Sequence, residues 1–290
     1  MSLKVGAHVS ISGSLDQAID RAQALGADCL QIFGSAPQQW QSFIFPLAQV
    51  EAFNRKRTAA GISPVFLHSI YLINLASENH FILGSSIASL VQYLKFGRLI
   101  GSEGVVFHVG SHRGKGFEAV ASQVAEALSQ VLAQTEGGGK LIIENSAGAG
   151  GIIGGVFAEI GALVRAVNSP RVAICLDTAH AFESGYDVAN RRGLEKALAE
   201  IDRQIGLEKL MLVHANDSLT PRGSNLDRHA DIGKGEIGLR GFREIVNHPV
   251  LRELPFILET PGFDRHGPDR KNIKVLRGLA DGDSLLISSN

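Results

Sequence analysis

Eight short apolar runs, spaced along the chain with helical patterns between them, constrain this fold more than any other feature. They are KVGAHVS (4–10), CLQIF (29–33), PVFLHS (64–69), GVVFHVG (104–110), KLIIENS (140–146), RVAICLD (171–177), KLMLVHAND (209–217) and PFILETP (255–261). Apolar residues are nearly continuous within them. A strand wetted on one face alternates, whereas a parallel strand buried on both faces does not. Between the runs, Leu15, Ile19, Ala22 and Leu25 recur at helical spacing, with Ser14 and Gln17 placed to form a capping box. Leu194, Leu198, Ile201 and Ile205 make a second stripe, and Lys95, Arg98, Lys196 and Arg203 read as solvated helix faces. Eight βα units in 290 residues predict a single-domain (β/α)8 TIM barrel over residues 1–280, in preference to an open doubly wound sheet. No Pro/Gly/Ser-rich linker divides the chain, and DGDSLLISSN (281–290) reads as a loose C-terminal tail.

Charge narrows the partners. The formal net charge is −1, so the chain as a whole has no electrostatic pull toward nucleic acid or an anionic membrane. Positive potential, if function needs it, must be local or carried by bound metal. Cys29 and Cys175 lie in apolar runs, which argues against a disulfide framework and for a reducing, cytoplasmic setting. The opening MSLKVGAHVS carries no apolar leader, and no apolar run approaches the roughly 18 residues that span a bilayer.

The polar residues fall at the ends of the runs. His68, His108, Glu144, Asp177, His214 and Glu259 each close one, His180 follows Asp177, and the stretch LDRHADIGKG adds Asp227 and His229. Each alone has a structural explanation: a hydrogen-bonded histidine, an N-cap at Asp177, a carboxylate paired with arginine. In a barrel, however, the carboxyl ends of the strands meet at one mouth, where chemistry resides. Five imidazoles and four carboxylates without a thiolate suit Zn²⁺, Mn²⁺ or Fe²⁺ better than Mg²⁺ or Ca²⁺. One zinc takes about four ligands. The nine candidates therefore point to two or three ions sharing carboxylates, an arrangement suited to phosphoryl chemistry.

Longer motifs carry a family resemblance. CLDTAHAFESGYD (175–187), HANDS (214–218), LDRHADIGKGEIG (226–238) and SIYLINLAS (69–77), framed by VGAHVS and ILETPG, span almost the whole chain. They resemble the endonuclease IV family, the zinc-dependent apurinic/apyrimidinic (AP) endonucleases of base-excision repair, in the xylose isomerase-like barrel superfamily. The resemblance implies three zinc ions, with Mn²⁺ a substitute. His68, His108 and Glu144 would hold one; Glu144 would bridge to a second with Asp177, His214 and Glu259; His180, Asp227 and His229 would hold the third. It implies a monomeric hydrolase that cuts duplex DNA 5′ to an abasic site, leaving a 3′-hydroxyl and a 5′-deoxyribose phosphate, and that also cleans blocked 3′ ends. Glu144 as bridging ligand and Glu259 as ligand or proton acceptor are the implied catalytic residues. Three Zn²⁺ would turn the formal −1 into +5, which meets the charge objection.

Related enzymes flip the abasic nucleotide out of bent DNA. Tyr71 and Leu72 match the family's wedge positions, and Arg228 is placed for a phosphate contact. In GSAPQQW (34–40), Gln38 stands where the family often carries arginine, and Arg113 or Lys115 would compensate for the missing charge. The glycine-rich SAGAGGIIGG (146–155) fails the dinucleotide pattern at Ile153 and reads as a loop needing close backbone approach. His8 has a supporting or structural role, His112 stays outside the ligand set, and His80, His248 and His266 read as peripheral. The rival reading is a metal-dependent sugar isomerase or epimerase using Glu144, Asp177, His214 and Glu259; the extra trio and the YLINL stretch argue against it. A third, weaker reading is a non-catalytic, zinc-stabilised DNA-binding module.

Overall fold

The computed structural model describes residues 2–40 and 43–282. Most of the expected tail, 283–290, lies outside the described residues. The strands are β1 (Val5–His8), β2 (Leu30–Phe33), β3 (Val65–His68), β4 (Gly104–Phe107), β5 (Lys140–Glu144), β6 (Val172–Asp177), β7 (Leu210–His214), β8 (Asp217–Ser218), β9 (His229–Ala230) and β10 (Phe256–Leu258). The helices are α1 (Gln17–Leu25), α2 (Leu47–Ala60), α3 (His80–Ile100), α4 (Ala121–Ala133), α5 (Phe157–Val167), α6 (Thr178–Glu183), α7 (Arg191–Gln204), α8 (Gly238–Asn247) and α9 (Arg270–Ala280).

Eight parallel strands close a barrel in the order β1-β10-β7-β6-β5-β4-β3-β2. Each expected apolar run supplies one barrel strand. The seventh run is split, however: the strand ends at His214, and Asp217–Ser218 turn away to pair antiparallel with His229–Ala230. The expected Ser14–Gln17 capping box is also absent. Helix α1 begins only at Gln17, the Ser14 hydroxyl donates to Asp16 (2.7 Å), and Gln17 Oε1 instead accepts from Arg21 (3.1 Å).

Side-chain alternation divides the core in two. One apolar cluster packs strands against helices, with Leu67, Val105, Phe107, Leu141, Ile143, Ile174 and Val213 among its members. The opposite parity gives a smaller cluster of Cys29, Phe66, Val106, Ile142, Ala173, Cys175, Leu212 and Ile257, which fills the barrel interior. Burial pushes the thiols of Cys29 and Cys175 up, the latter to about 12, so both behave as small apolar groups here.

Two residues further along each strand, the interior parity recurs at the carboxyl end. From Cys29 it reaches Gln31; from Phe66, His68; from Val106, His108; from Ile142, Glu144; from Cys175, Asp177; from Leu212, His214; from Ile257, Glu259. On β1 the same step leads from Gly6 to His8. A Cβ on Gly6 would lie 1.9 Å from the Cys29 carbonyl oxygen, so the β1–β2 approach requires glycine there. The pleat thus places a polar ring directly on the apolar floor of the barrel.

Candidate metal centre

Glu144 is the hub of that ring. Fully buried on β5, it directs Oε2 to His68 Nε2 (3.1 Å) and His108 Nε2 (3.5 Å). Its Oε1 faces His214 Nδ1 (3.0 Å) and His180 Nδ1 (3.3 Å). Burial opposes ionisation of Glu144, yet His108, His214 and His180 outweigh it and hold the carboxyl well below its ordinary range.

Three groups of donors result, the atoms in each lying within 4.8 Å of one another: His68, His108 and Glu144; Glu144, Asp177, His214 and Glu259; and Asp177, His180 and His229. Asp227 flanks the last, 3.3 Å from His180 Nε2 and 3.4 Å from His229 Nε2. All nine residues singled out in the sequence therefore converge. The structure adds that Asp177 joins two groups, as Glu144 does. The capping reading of Asp177 holds: Oδ1 caps α6 by accepting from the His180 N–H (2.8 Å), while Oδ2 accepts from Asn216 (2.7 Å) and the carboxylate stands in two of the donor groups.

Backbone carbonyls orient two imidazoles. His68 Nδ1 donates to Ser69 O (2.8 Å), which leaves Nε2 for Glu144 and His108. His180 Nδ1 donates to Asn145 O (3.0 Å), which leaves Nε2 for Asp227 and His229. A ligating histidine almost always donates its other ring N–H to such a partner. The donor set fits borderline divalent metals: imidazole nitrogens and carboxylate oxygens with no sulfur, two carboxylates shared between groups, and the rings of His68 and His180 already directed.

The Asp227–His229 segment lies far from the barrel strands in sequence, and buried carboxylates tie it down. Glu183, one turn after His180 on α6, accepts through Oε1 from Ser218 Oγ (2.7 Å) and from the Arg228 N–H (3.1 Å) between the two donors. Asp217 collects N–H groups from Gly233, Gly235, Ile237 and Gly238 at 2.9–3.3 Å, folding the following loop onto β8. Neither residue stood out in the sequence; a carboxylate inside HANDS or HAFES becomes informative only once its burial is known.

Around the mouth, Tyr71 is 57% exposed, its ring edge-on to Phe33 and His68 and its N–H donating to Pro37 O (2.9 Å). Leu72 beside it is partly buried. Asn74 fastens this loop to the one after β4: Oδ1 accepts from Ser111 N (3.2 Å), and a side chain on Gly110, whose φ is +109°, would strike Asn74. A groove of about 370 Å³ runs past Tyr71, Leu72, Arg113, His108, His180 and Asp227. Gln38 is exposed on the neighbouring loop, and Arg228 donates to the Asp227 carbonyl (2.7 Å). Arg113 lines the groove, while Lys115 is engaged by Glu78. In the glycine-rich loop, a Cβ on Gly155 would sit 2.7 Å from Gly148 Cα, so the close approach expected there lies within the loop itself. Outside these donor groups, His112 Nδ1 accepts from Gly116 N (3.1 Å), and His8 Nδ1 lies 2.9 Å from Glu259 Oε1.

Fold and donor set define a (β/α)8 barrel with clustered imidazole and carboxylate groups able to hold metal at its C-terminal mouth. Residues 15–279 match the xylose isomerase-like TIM barrel family. Proteins called probable endonuclease 4 from Halothermothrix orenii and Methanoculleus marisnigri are 39% and 41% identical to this chain, with 95% of it and 99% and 98% of theirs covered. The crystal structure of endonuclease IV from Thermus thermophilus superposes with a TM-score of 0.85 at 36% identity, covering 96% of this chain and 99% of that one. A D-tagatose 3-epimerase-like protein, at 16% identity and a TM-score of 0.72 over 99% of both chains, shares the fold alone. The chain belongs to the endonuclease IV family, a nuclease family of hydrolases within the xylose isomerase-like barrels. No helix among the described residues is long and apolar enough to cross a membrane.

Proposed function

We propose that this chain is an AP endonuclease that hydrolyses the phosphodiester 5′ to abasic sites in duplex DNA, acting as a monomer with three zinc ions and also trimming blocked 3′ ends. The observation that carries the reading is the convergence of nine imidazole and carboxylate donors into three contiguous groups. Bound divalent ions would supply Lewis acidity toward the phosphate and lower the pKa of water. His68, His108 and Glu144 would hold one ion, Glu144, Asp177, His214 and Glu259 a second, and His180, Asp227 and His229 a third, with Asp177 close to both of the latter.

The chain's own residues have definable tasks. At Glu259 burial opposes ionisation, but His214 and His8 outweigh it and keep the carboxyl well below its ordinary range. Glu259 is therefore a proton acceptor or ligand at neutral pH, not an acid. Tyr71 and Leu72 project beside the groove, where an aromatic and an apolar side chain can occupy the gap left by a flipped nucleotide. Arg228 and Arg113 would meet phosphates. The sugar-isomerase reading draws no support from His180, His229 and Asp227, a further donor group that it leaves without a task.

The direct test is cleavage of an abasic duplex with and without chelator. Cleavage that stops on chelation and returns with Zn²⁺ is expected; chelator-resistant cleavage, or none at all on abasic DNA, would overturn the reading. A narrower prediction concerns Gln38. Since it is uncharged and exposed next to Pro37, which accepts from the Tyr71 N–H, Gln38→Arg should tighten duplex binding and steepen the salt dependence by about one unit of log–log slope, as one added phosphate contact requires. An unchanged slope in binding titrations across salt would remove this loop from the DNA interface.

A further inference from the structure

The inner ring at the mouth takes one side chain from each barrel strand, and β2 supplies a residue that is neither imidazole nor carboxylate. Gln31 is fully buried, and its carboxamide touches three neighbours. Nε2 lies 2.7 Å from Glu259 Oε1 and 3.0 Å from His8 Nδ1, and Oε1 lies 3.0 Å from His214 Nε2. An ionised carboxylate only accepts, so the amide nitrogen has to face Glu259. The amide oxygen then faces His214, so His214 Nε2 has to carry a proton. A ligating imidazole keeps one proton. Gln31 thereby assigns that proton to Nε2 and leaves Nδ1 for metal. Nδ1 is the nitrogen that lies 3.0 Å from Glu144, 3.2 Å from Glu259 and 3.9 Å from Asp177.

The same amide directs Glu259. Its Oε1 is engaged by Gln31 and His8, which leaves Oε2, the oxygen beside His214 Nδ1. Two of the four donors in this group thus take their direction from one neutral side chain. His68 and His180 are oriented by backbone carbonyls, which substitution cannot remove. His214 depends on a side chain.

We infer that Gln31 is the positioning residue of the metal group formed by Glu144, Asp177, His214 and Glu259, setting the tautomer of His214 and the free oxygen of Glu259. This rests on the metal-dependent reading above. The test is titration of the chelator-stripped, full-length chain with Co²⁺, followed by visible absorption, for the wild type, Gln31→Met and Gln31→Ala, with thermal melting of each metal-free form as the check on folding. Methionine keeps the volume but offers His214 and Glu259 no partner. Alanine opens space for a water, which can bond to both.

The expected result is one Co²⁺ equivalent bound about 10–100-fold more weakly in Gln31→Met, the usual scale for losing an outer partner of a ligand. Its absorption band should change, the remaining equivalents should bind as before, and Gln31→Ala should lie between Met and wild type. A packing role predicts the reverse order, because the alanine cavity would then be the worse defect. Wild-type-like Co²⁺ binding by Gln31→Met, or weaker binding by Gln31→Ala than by Gln31→Met, overturns the inference. Absence of Co²⁺ binding by the wild type overturns the metal reading instead.

Discussion

Glu144→Gln is expected to lower abasic-site cleavage by about a thousandfold or more, equivalent to about 4 kcal/mol of transition-state stabilisation. Glu144 is fully buried and faces His68, His108, His180 and His214 within 3.5 Å, so one carboxylate serves two donor groups. Losing an outer partner of a ligand typically costs about 10–100-fold in metal affinity or activity, and a shared inner ligand should exceed that. Glutamine keeps the shape but removes the charge that the four imidazoles surround. Elemental analysis should show at least one bound ion lost. The metal-free chain should also lose stability, because breaking a buried ionic contact costs about 3–5 kcal/mol. Glu259→Gln separates binding from chemistry. Its side chain is 16% exposed at the rim of its group, so the variant should hold abasic DNA yet fail to cut it. Near-normal turnover would reject Glu259 as acceptor or ligand.

The barrel was legible because strands buried on both faces announce themselves as continuous apolar runs. The candidate site was legible because imidazole and carboxylate residues end those runs. The pleat makes the connection physical: Phe66 to His68, Ile142 to Glu144 and Leu212 to His214 are single steps of side-chain parity. That parity also holds the signal that was missed. Cys29 to Gln31 is the same step, but a carboxamide is no metal donor by type, so chemistry alone passes it over. His8 fell out of the zinc pattern and proved to be a hydrogen-bond partner of Glu259. What the sequence could not show depends on burial and on distant contacts. Glu183 and Asp217 resemble surface acids until the 219–238 segment folds onto them. The Ser14–Gln17 pattern failed because the helix starts later than the motif, and a local capping rule carries no information on where the preceding loop delivers the chain.

Loading with metal should move the pH range of greatest stability upward. In the metal-free chain, burial disfavours charge on His180 and His214. The neighbouring carboxylates outweigh it: Asp177, Asp227 and Glu144 at His180, and Glu259 and Glu144 at His214. Both imidazoles are held well above their ordinary 6.5. A raised folded pKa gives stability that is complete below 6.5 and disappears as pH rises through the folded value. Glu144 and Glu259 are held well below 4.5, so their contribution is complete above 4.5 and disappears as pH falls through the lower folded values. These four groups together favour the metal-free chain between pH 4.5 and 6.5 and weaken it toward alkaline pH, while His8 and His108, which burial holds below 6.5, act in the opposite sense. Metal reverses the alkaline limb, because imidazole ligates only when neutral and binding must expel these protons. Each proton expelled makes metal affinity rise about tenfold per pH unit. The melting temperatures of loaded and stripped protein should consequently diverge from about pH 6 to 8, and Zn²⁺ added to a weakly buffered stripped sample should acidify it. A gap between the melting temperatures that does not change with pH, or metal uptake without proton release, would show that His180 and His214 are not ligands.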